Sequence, residues 1–366
     1  MPAGKSKAPK LIQSRLKLLG EGSFGCVVSH PLECSGREVV ISAKQRHNVK
    51  QVSKLFYDKE KYENEVQLGK LVKKIDPSEK KILVPIKGCE ISRNTIQKPA
   101  NINAISKCEN LASMTSTKNI SKSPIYDTDL ALNKVWQLTM PYAGKEFDTS
   151  LKKYKNPIPV RSLAKMLIPL FEALVLLKER NMVHQDIKNA NVLIQNRKAI
   201  LIDYSLMLPF DKIYQEDNYN RLKRRYRPFP PEYYMASIIM KHKNDFKHMK
   251  STDVKISIIE RYKNHLENIQ HYFAPYYSLN ELYELSNYGS LMVLALSNYK
   301  KFVEFTDKID VFSVGTMLTD SYDLIATPFS NYDYIMLMRG ILHPDPRQRM
   351  SAEDALALCK KIASGI

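Results

Sequence analysis

The sequence predicts an α+β fold in two parts, a small strand-rich N-terminal part with one main helix and a larger, mostly helical C-terminal part. Three patterns carry this: a glycine-rich hairpin over Leu16 to His30, an amphipathic helix over Asp58 to Ile75, and a long apolar helix over Val160 to Arg180. With 366 residues, 44% of them apolar and 26% charged, the chain is long enough for one large domain or two lobes. A disordered, collagen-like or disulfide-knotted protein is excluded by the same composition.

Residues 1–12 read as a basic flexible tail with Pro2, Gly4 and Pro9, and no apolar run follows that could act as a signal sequence. Leu16 to Gly20 and Cys26 to His30 are expected as strands joined by Glu21 to Gly25, with a third strand, Glu38 to Lys44, after the turn-rich Pro31 to Gly36. In the helix that follows, Tyr62, Val66, Leu68, Leu71, Val72 and Ile75 recur at helical spacing, and a further strand is expected at Ile82 to Ile86. Residues 92–133 are rich in Ser, Asn, Thr and Lys and too poor in large apolar side chains to offset ordering entropy, so they read as a flexible insertion. Strand character returns at Val135 to Met140, and Pro169 is expected to kink the helix over Val160 to Arg180. Its apolar run, Met166 to Leu177, is too short to span a bilayer. The boundaries are 13–143 for the first lobe and 144–366 for the second, with an insertion at about 233–306.

Lysine and arginine number 56 against 38 aspartates and glutamates, a net charge of +18 that draws anions without choosing among nucleotides, acidic peptides, nucleic acid and acidic lipid. Five scattered cysteines with no C-x-x-C pair fit reduced thiols in a cytoplasmic or nuclear compartment, with no disulfides and no structural zinc.

Gly20, Glu21, Gly22, Ser23, Phe24 and Gly25, followed by Cys26 and Val27, form a loop whose missing side chains let backbone N–H groups close over a polyphosphate. Alone, such a run is also an ordinary glycine hairpin, and the β-type run after it disfavours a dinucleotide-binding fold, which wants a helix there. Lys44, at the end of the expected third strand, could bring its ammonium under this loop. Helical phase selects Glu65 to hold it, because Tyr62, Leu68 and Val72 surround that position with the apolar stripe, whereas Glu63 shares a face with Lys59, Gln67 and Lys70. A carboxylate on a buried face needs a partner.

The densest signal is His184, Gln185, Asp186, Ile187, Lys188, Asn189, Ala190 and Asn191, then two short strands joined by Gln195 to Lys198 and ending at Asp203. The hairpin folds Asn191 and Asp203 back beside each other, giving an amide oxygen and a carboxylate suited to Mg2+. Asp186 on the preceding loop can accept a proton from an attacking hydroxyl, and Lys188 can reach a phosphoryl group in flight.

With these motifs the chain resembles a eukaryotic-type protein kinase, from about Leu16 to about Ile362. The resemblance implies a bilobal fold, ATP and Mg2+ as nucleotide and cofactor, and protein substrates. It implies that Gly20 to Val27 cover the phosphates, that Lys44 and Glu65 form the lysine–glutamate pair, that Asp186 is the catalytic-loop aspartate, and that Asn191 and Asp203 hold the metal. Val135 to Gly144 resembles the strand and hinge, with Met140 in the gatekeeper position and Pro141, Tyr142 and Ala143 facing adenine. Pro230, Pro231 and Glu232 stand where the family has A-P-E, Arg349 is placed to pair with Glu232, and Asp310 to Gly315 resembles the helix start that braces the catalytic loop.

The departures are specific. Gln185 replaces the arginine that ordinarily pairs with a phosphorylated activation loop, Asp203, Tyr204 and Ser205 replace D-F-G, and Leu206 to Pro231 contains no serine or threonine. Such departures suit a divergent member, for instance from a large DNA virus. Lys188 favours serine or threonine acceptors, while the threonine common shortly before A-P-E is absent. Arg221, Lys223, Arg224, Arg225 and Arg227 read either as an anchor for acidic substrate or as a solvated face paired with Glu216 and Asp217. No nucleic-acid-binding module is recognisable. A small-molecule kinase of related fold and a scaffold without transferase activity remain as alternatives.

Overall fold

The computed structural model describes residues 15–22, 25–42, 50–108, 134–215, 229–233, 235–236, 251–285, 299–326 and 328–365. The chain separates into two units, one of residues 1–71 and 84–142, the other of residues 72–83 and 143–366.

The first unit is built on one antiparallel sheet. Its strands are β1 (Leu18–Gly22), β2 (Gly25–Val28), β3 (Val39–Val40), β4 (Gln51–Phe56), β5 (Lys87–Glu90) and β6 (Trp136–Pro141), in the order β1-β2-β4-β6-β5-β3. Helix α1 (Lys59–Ile75) turns Tyr62 and Val66 into a cluster with Phe56 and Leu138, as its periodicity predicts. At the β1–β2 turn Gly25 has φ +154, and a Cβ there would collide with the carbonyl oxygen of Leu55, so the neighbouring strand requires glycine.

Four expectations are corrected here. The third strand is only Val39–Val40, at the sheet edge against β5; the strand beside β2 is β4, and residues 43–49, Lys44 among them, lie outside the described residues. Ile82 to Ile86 is not a ladder strand: Ile82 makes one parallel bridge to Leu201, and β5 begins beyond Pro85, which has no N–H to donate. The segment from 92 starts with two helices, α2 (Arg93–Ile96) and α3 (Pro99–Ile105), because Ile96, Ala104, Ile105 and Cys108 bury against Cys26, Leu55 and Val135. The rest of it, 109–133, lies outside the described residues. Four cysteines form two disulfides, Cys26–Cys108 and Cys34–Cys89, with Cα atoms 6.1 and 5.8 Å apart. Their partners are 82 and 55 residues apart in sequence and meet only through the fold, which spacing rules for short motifs do not register.

The second unit is mainly helical. After β7 (Lys145–Glu146), α4 (Phe147–Leu151) and β8 (Ile158–Pro159) comes α5 (Val160–Glu179), which carries Pro169 inside it and buries ten side chains. Then follow β9 (Met182–Val183), β10 (Val192–Gln195), β11 (Lys198–Leu201), β12 (Leu208–Pro209) and α6 (Phe210–Ile213), and after them the longer helices α7 (Ser251–Phe273), α8 (Leu279–Leu285) and α9 (Ile309–Thr319). The chain ends through β13 (Ile325–Ala326), α10 (Tyr332–Ile341) and α11 (Ala352–Ser364). All eleven residues of α9 are buried, making it the axis of the unit. Helix α11 lies along α5, where Cys359 Sγ donates to Ala164 O and Arg161 donates to Ala363 O.

The insertion expected at 233–306 contributes packed structure. Phe273 on α7 meets Phe312 on α9 with ring centroids 5.9 Å apart, and Arg339 on α10 donates to Tyr276 O while its guanidinium lies over the Tyr277 ring. No helix among the described residues is long and apolar enough to cross a membrane.

Candidate active site

Antiparallel register builds the site's scaffold in the second unit. Pairing of Val192 with Leu201 through Gln195 with Lys198 closes the β10–β11 hairpin, and Ile202 N donates to Asn191 O at 3.0 Å. Asn191 and Asp203 therefore sit one step apart at its open end, as the sequence predicts. Asp203 has φ 57 and ψ 66, a left-handed conformation that ordinary L-residues seldom adopt.

Asp186 is buried on the loop before this hairpin. Its carboxylate accepts from Asn191 Nδ2 at 2.7 Å and from Lys188 Nζ at 3.0 Å. Asn191 Nδ2 also donates to Asp186 O at 2.8 Å. With both amide hydrogens spent on Asp186, Asn191 presents its Oδ1 as the atom able to hold a hard cation. The oxygen donors of Asn191 and Asp203 thus fit Mg2+ in kind.

The loop is held from behind. Asp310 Oδ2 accepts from His184 N at 2.6 Å and Oδ1 from Gln185 N at 2.9 Å. Burial pushes the Asp310 carboxyl above its usual range, against the two backbone donors that favour its charge. His184 Nδ1 accepts from Asp186 N, so Nε2 carries the hydrogen and donates to Ile202 O at 3.0 Å. One imidazole thereby ties the loop of Asp186 to the residue before Asp203.

Further along, Glu232 and Arg349 form the fork-to-fork pair that the resemblance implies, with Nη1 at 2.6 Å and Nη2 at 3.0 Å from the two carboxylate oxygens. Both side chains are 0% exposed, and Arg349 also donates to His343 O and lies over the Phe312 ring.

In the first unit, Glu65 is buried and pairs with Lys54 on β4. Lys54 stands opposite Val27 on one side and Leu138 on the other, and its ammonium lies 5.4 Å from the Phe56 ring centroid. Phase along α1 does select the buried carboxylate, and among the described residues the lysine that pairs with it is Lys54, while Lys44 lies outside them. Sequence reasoning missed Lys54; the signal available was a single cation inside the otherwise strand-like run Gln51 to Phe56. Gly20, Glu21, Gly22, Gly25 and Val27 belong to the β1–β2 hairpin, while Ser23 and Phe24 at its tip lie outside the described residues. Met140 and Pro141 end β6, Tyr142 N donates to Lys50 O at 2.8 Å, and at buried Ala143 the chain re-enters the second unit.

Residues 14–254 match the family model for protein tyrosine and serine/threonine kinases. The chain belongs to that family. No curated protein matches the kinase. Its sheet-rich N-terminal and helical C-terminal parts agree with the α+β expectation, and membership makes it a phosphotransferase that acts on proteins. The basic cluster of Arg221, Lys223, Arg224, Arg225 and Arg227, together with Tyr219 and Tyr226, lies outside the described residues.

Proposed function

We propose that the kinase transfers the γ-phosphoryl group of ATP to serine and threonine hydroxyls of protein substrates. The observation that carries this reading is the Asp186 carboxylate, buried and oriented by Asn191 and Lys188 at 2.7 and 3.0 Å. Asp186 accepts the proton of the attacking hydroxyl, a role typically worth about 10²–10⁴ in rate. Lys188, already beside Asp186, balances charge on the phosphoryl group as it moves, and its place two residues after the aspartate supports serine and threonine as acceptors.

Asn191 and Asp203 would hold Mg2+, which when bound neutralises the charge of the nucleotide's phosphates. Lys54, fixed by Glu65, holds phosphate oxygens, so the role expected of Lys44 passes to Lys54. The backbone of Gly20 to Gly25, with Glu21, Ser23 and Phe24, covers the phosphates, and Val27, Met140, Tyr142 and Ala143 take the adenine, with Pro141 O accepting and Ala143 N–H donating. Catalysis is then chiefly positioning and charge neutralisation.

The test is transfer from Mg-ATP to a mixture of basic and acidic protein acceptors, followed by phosphoamino-acid analysis. Phosphoserine and phosphothreonine are expected, with transfer lost in Asp186→Asn while ATP binding persists. Predominant phosphotyrosine would overturn the acceptor assignment, and full turnover by Asp186→Asn would remove that residue from its role.

A further inference from the structure

Gln185 immediately precedes Asp186 and is 1% exposed. Its backbone has φ 67, a left-handed conformation held by the bond from its N–H to Asp310. The side chain then bridges two distant points. Nε2 donates to Leu206 O at 2.6 Å, in the turn that follows Asp203, and Oε1 accepts from Tyr233 Oη at 3.2 Å. Tyr233 follows Glu232, the residue locked onto Arg349, and its fully buried ring is set edge-on against Phe229 and Tyr214 at 4.8 and 5.7 Å between centroids. The hydroxyl therefore reaches Gln185 from a fixed direction.

One neutral amide thus spends a donor on the start of the 203–233 segment and its acceptor on the end. A buried cation at this position would need a counter-charge, which a phosphate could supply; a buried amide needs only neutral partners, and here it has one at each pole. The segment it spans has no serine or threonine from Leu206 to Pro231.

We propose that Gln185 is a positioning residue that, through Leu206 and Tyr233, holds both ends of the 203–233 segment in register with Asp186 without a phosphate on that segment. The inference rests on the assignment of Asp186 above. Gln185 touches no reacting atom: it sets the turn behind Asp203 and the backbone beside Glu232 relative to the loop that carries Asp186.

The experiment is steady-state kinetics on the full chain for wild type, Gln185→Ala, Tyr233→Phe and the double variant, with wild type also assayed after phosphatase treatment. Losing a buried bridge of this kind is expected to lower kcat about tenfold in Gln185→Ala. KM for ATP should stay unchanged, and the double variant should be no slower than Gln185→Ala, because both changes cut one bridge. Tyr233→Phe keeps the ring packing and removes only the hydroxyl, so it should lower kcat at temperatures where the protein stays fully folded by circular dichroism, and this variant decides the matter if Gln185→Ala does not fold. Phosphatase-treated wild type should keep its kcat. Unchanged kcat in Tyr233→Phe, effects that multiply in the double variant, or loss of activity on phosphatase treatment would each overturn the proposal. A wild type no faster than Asp186→Asn would instead overturn the transferase assignment and this inference with it.

Discussion

Lys54 on β4 and Glu65 on α1 form an ion pair whose two side chains are almost wholly withdrawn from water. Removing one partner of such a pair strands the other as a buried charge, whereas replacing both by apolar groups of similar size does not. Lys54→Ala is expected to destabilise the kinase by about 3–5 kcal/mol, while Lys54→Met combined with Glu65→Leu regains most of that loss. Neither variant should transfer phosphoryl under the role proposed for Lys54, because its ammonium is gone from both. Urea unfolding and a transfer assay on the same preparations separate the two effects. Lys44→Ala should retain transfer, and inactivity there with a normal Lys54 would return the phosphate role to Lys44.

The Glu232–Arg349 pair makes a sharper geometric prediction. Two parallel bonds at 2.6 and 3.0 Å use the planar fork of arginine, which lysine cannot reproduce. Arg349→Lys keeps the charge but forfeits one charged hydrogen bond and the bond to His343 O, so a cost of about 2–4 kcal/mol is expected. A cost below about 0.5 kcal/mol, read by urea unfolding of the full chain, would show that charge alone holds Glu232.

Where chemistry is written in consecutive residues, the sequence was legible. Asp186, Lys188 and Asn191 lie on one loop, a local hairpin returns Asp203 to them, and helical phase alone distinguishes Glu65 from Glu63. Glu232 and Arg349 were legible only through resemblance, since 117 residues separate them. Lys54 was not, because the third strand expected from the sequence is Glu38 to Lys44, and only inter-strand hydrogen bonding puts Gln51–Phe56 beside β2 and leaves Val39–Val40 against β5. The disulfides and the helices at 93–105 were hidden for a related reason. A few apolar side chains, Ile96, Ala104 and Ile105, suffice to fold a polar stretch once a neighbouring sheet offers them a surface.

Asp76 supplies the expected pH dependence. Its carboxylate accepts from the backbone N–H groups of Lys80, Lys81 and Ile82 and from the Ser78 hydroxyl, fixing the turn that follows α1. Burial would raise its pKa, but these donors outweigh burial and hold the carboxyl below the usual carboxylate range. With the folded value below the unfolded one, the stabilisation is complete above the unfolded pKa, about 3.9, and disappears as pH falls through the folded value. Wild type should therefore lose stability below about pH 4 more steeply than Asp76→Asn, which is less stable at neutral pH. Parallel urea midpoints at pH 7 and pH 3 check this, and equal pH slopes for the two proteins would contradict it.

The two disulfides lie wholly in the first unit and close long stretches of chain, 82 residues for Cys26–Cys108 and 55 for Cys34–Cys89. Cys26 follows Gly25 directly, so the first bond fastens the second strand of the glycine hairpin to the chain beyond α3. Because each cross-link restricts the unfolded chain, reduction is expected to cost about 2–4 kcal/mol per bond and to lower the melting temperature. Thiol–disulfide exchange with a dithiol leaves four protein thiols and two oxidised reductant molecules, so the change can be counted by alkylation and mass spectrometry. Cys359 serves as the internal control. It is fully buried, its Sγ is bonded to Ala164 O, and burial pushes its thiol up to about 12, so it should resist alkylation until the second unit unfolds. Native, unreduced kinase should accordingly take up no label at any of its five cysteines. Labelling of Cys26 and Cys108 in that state, or a melting temperature indifferent to the dithiol, would show that these pairs do not brace the sheet.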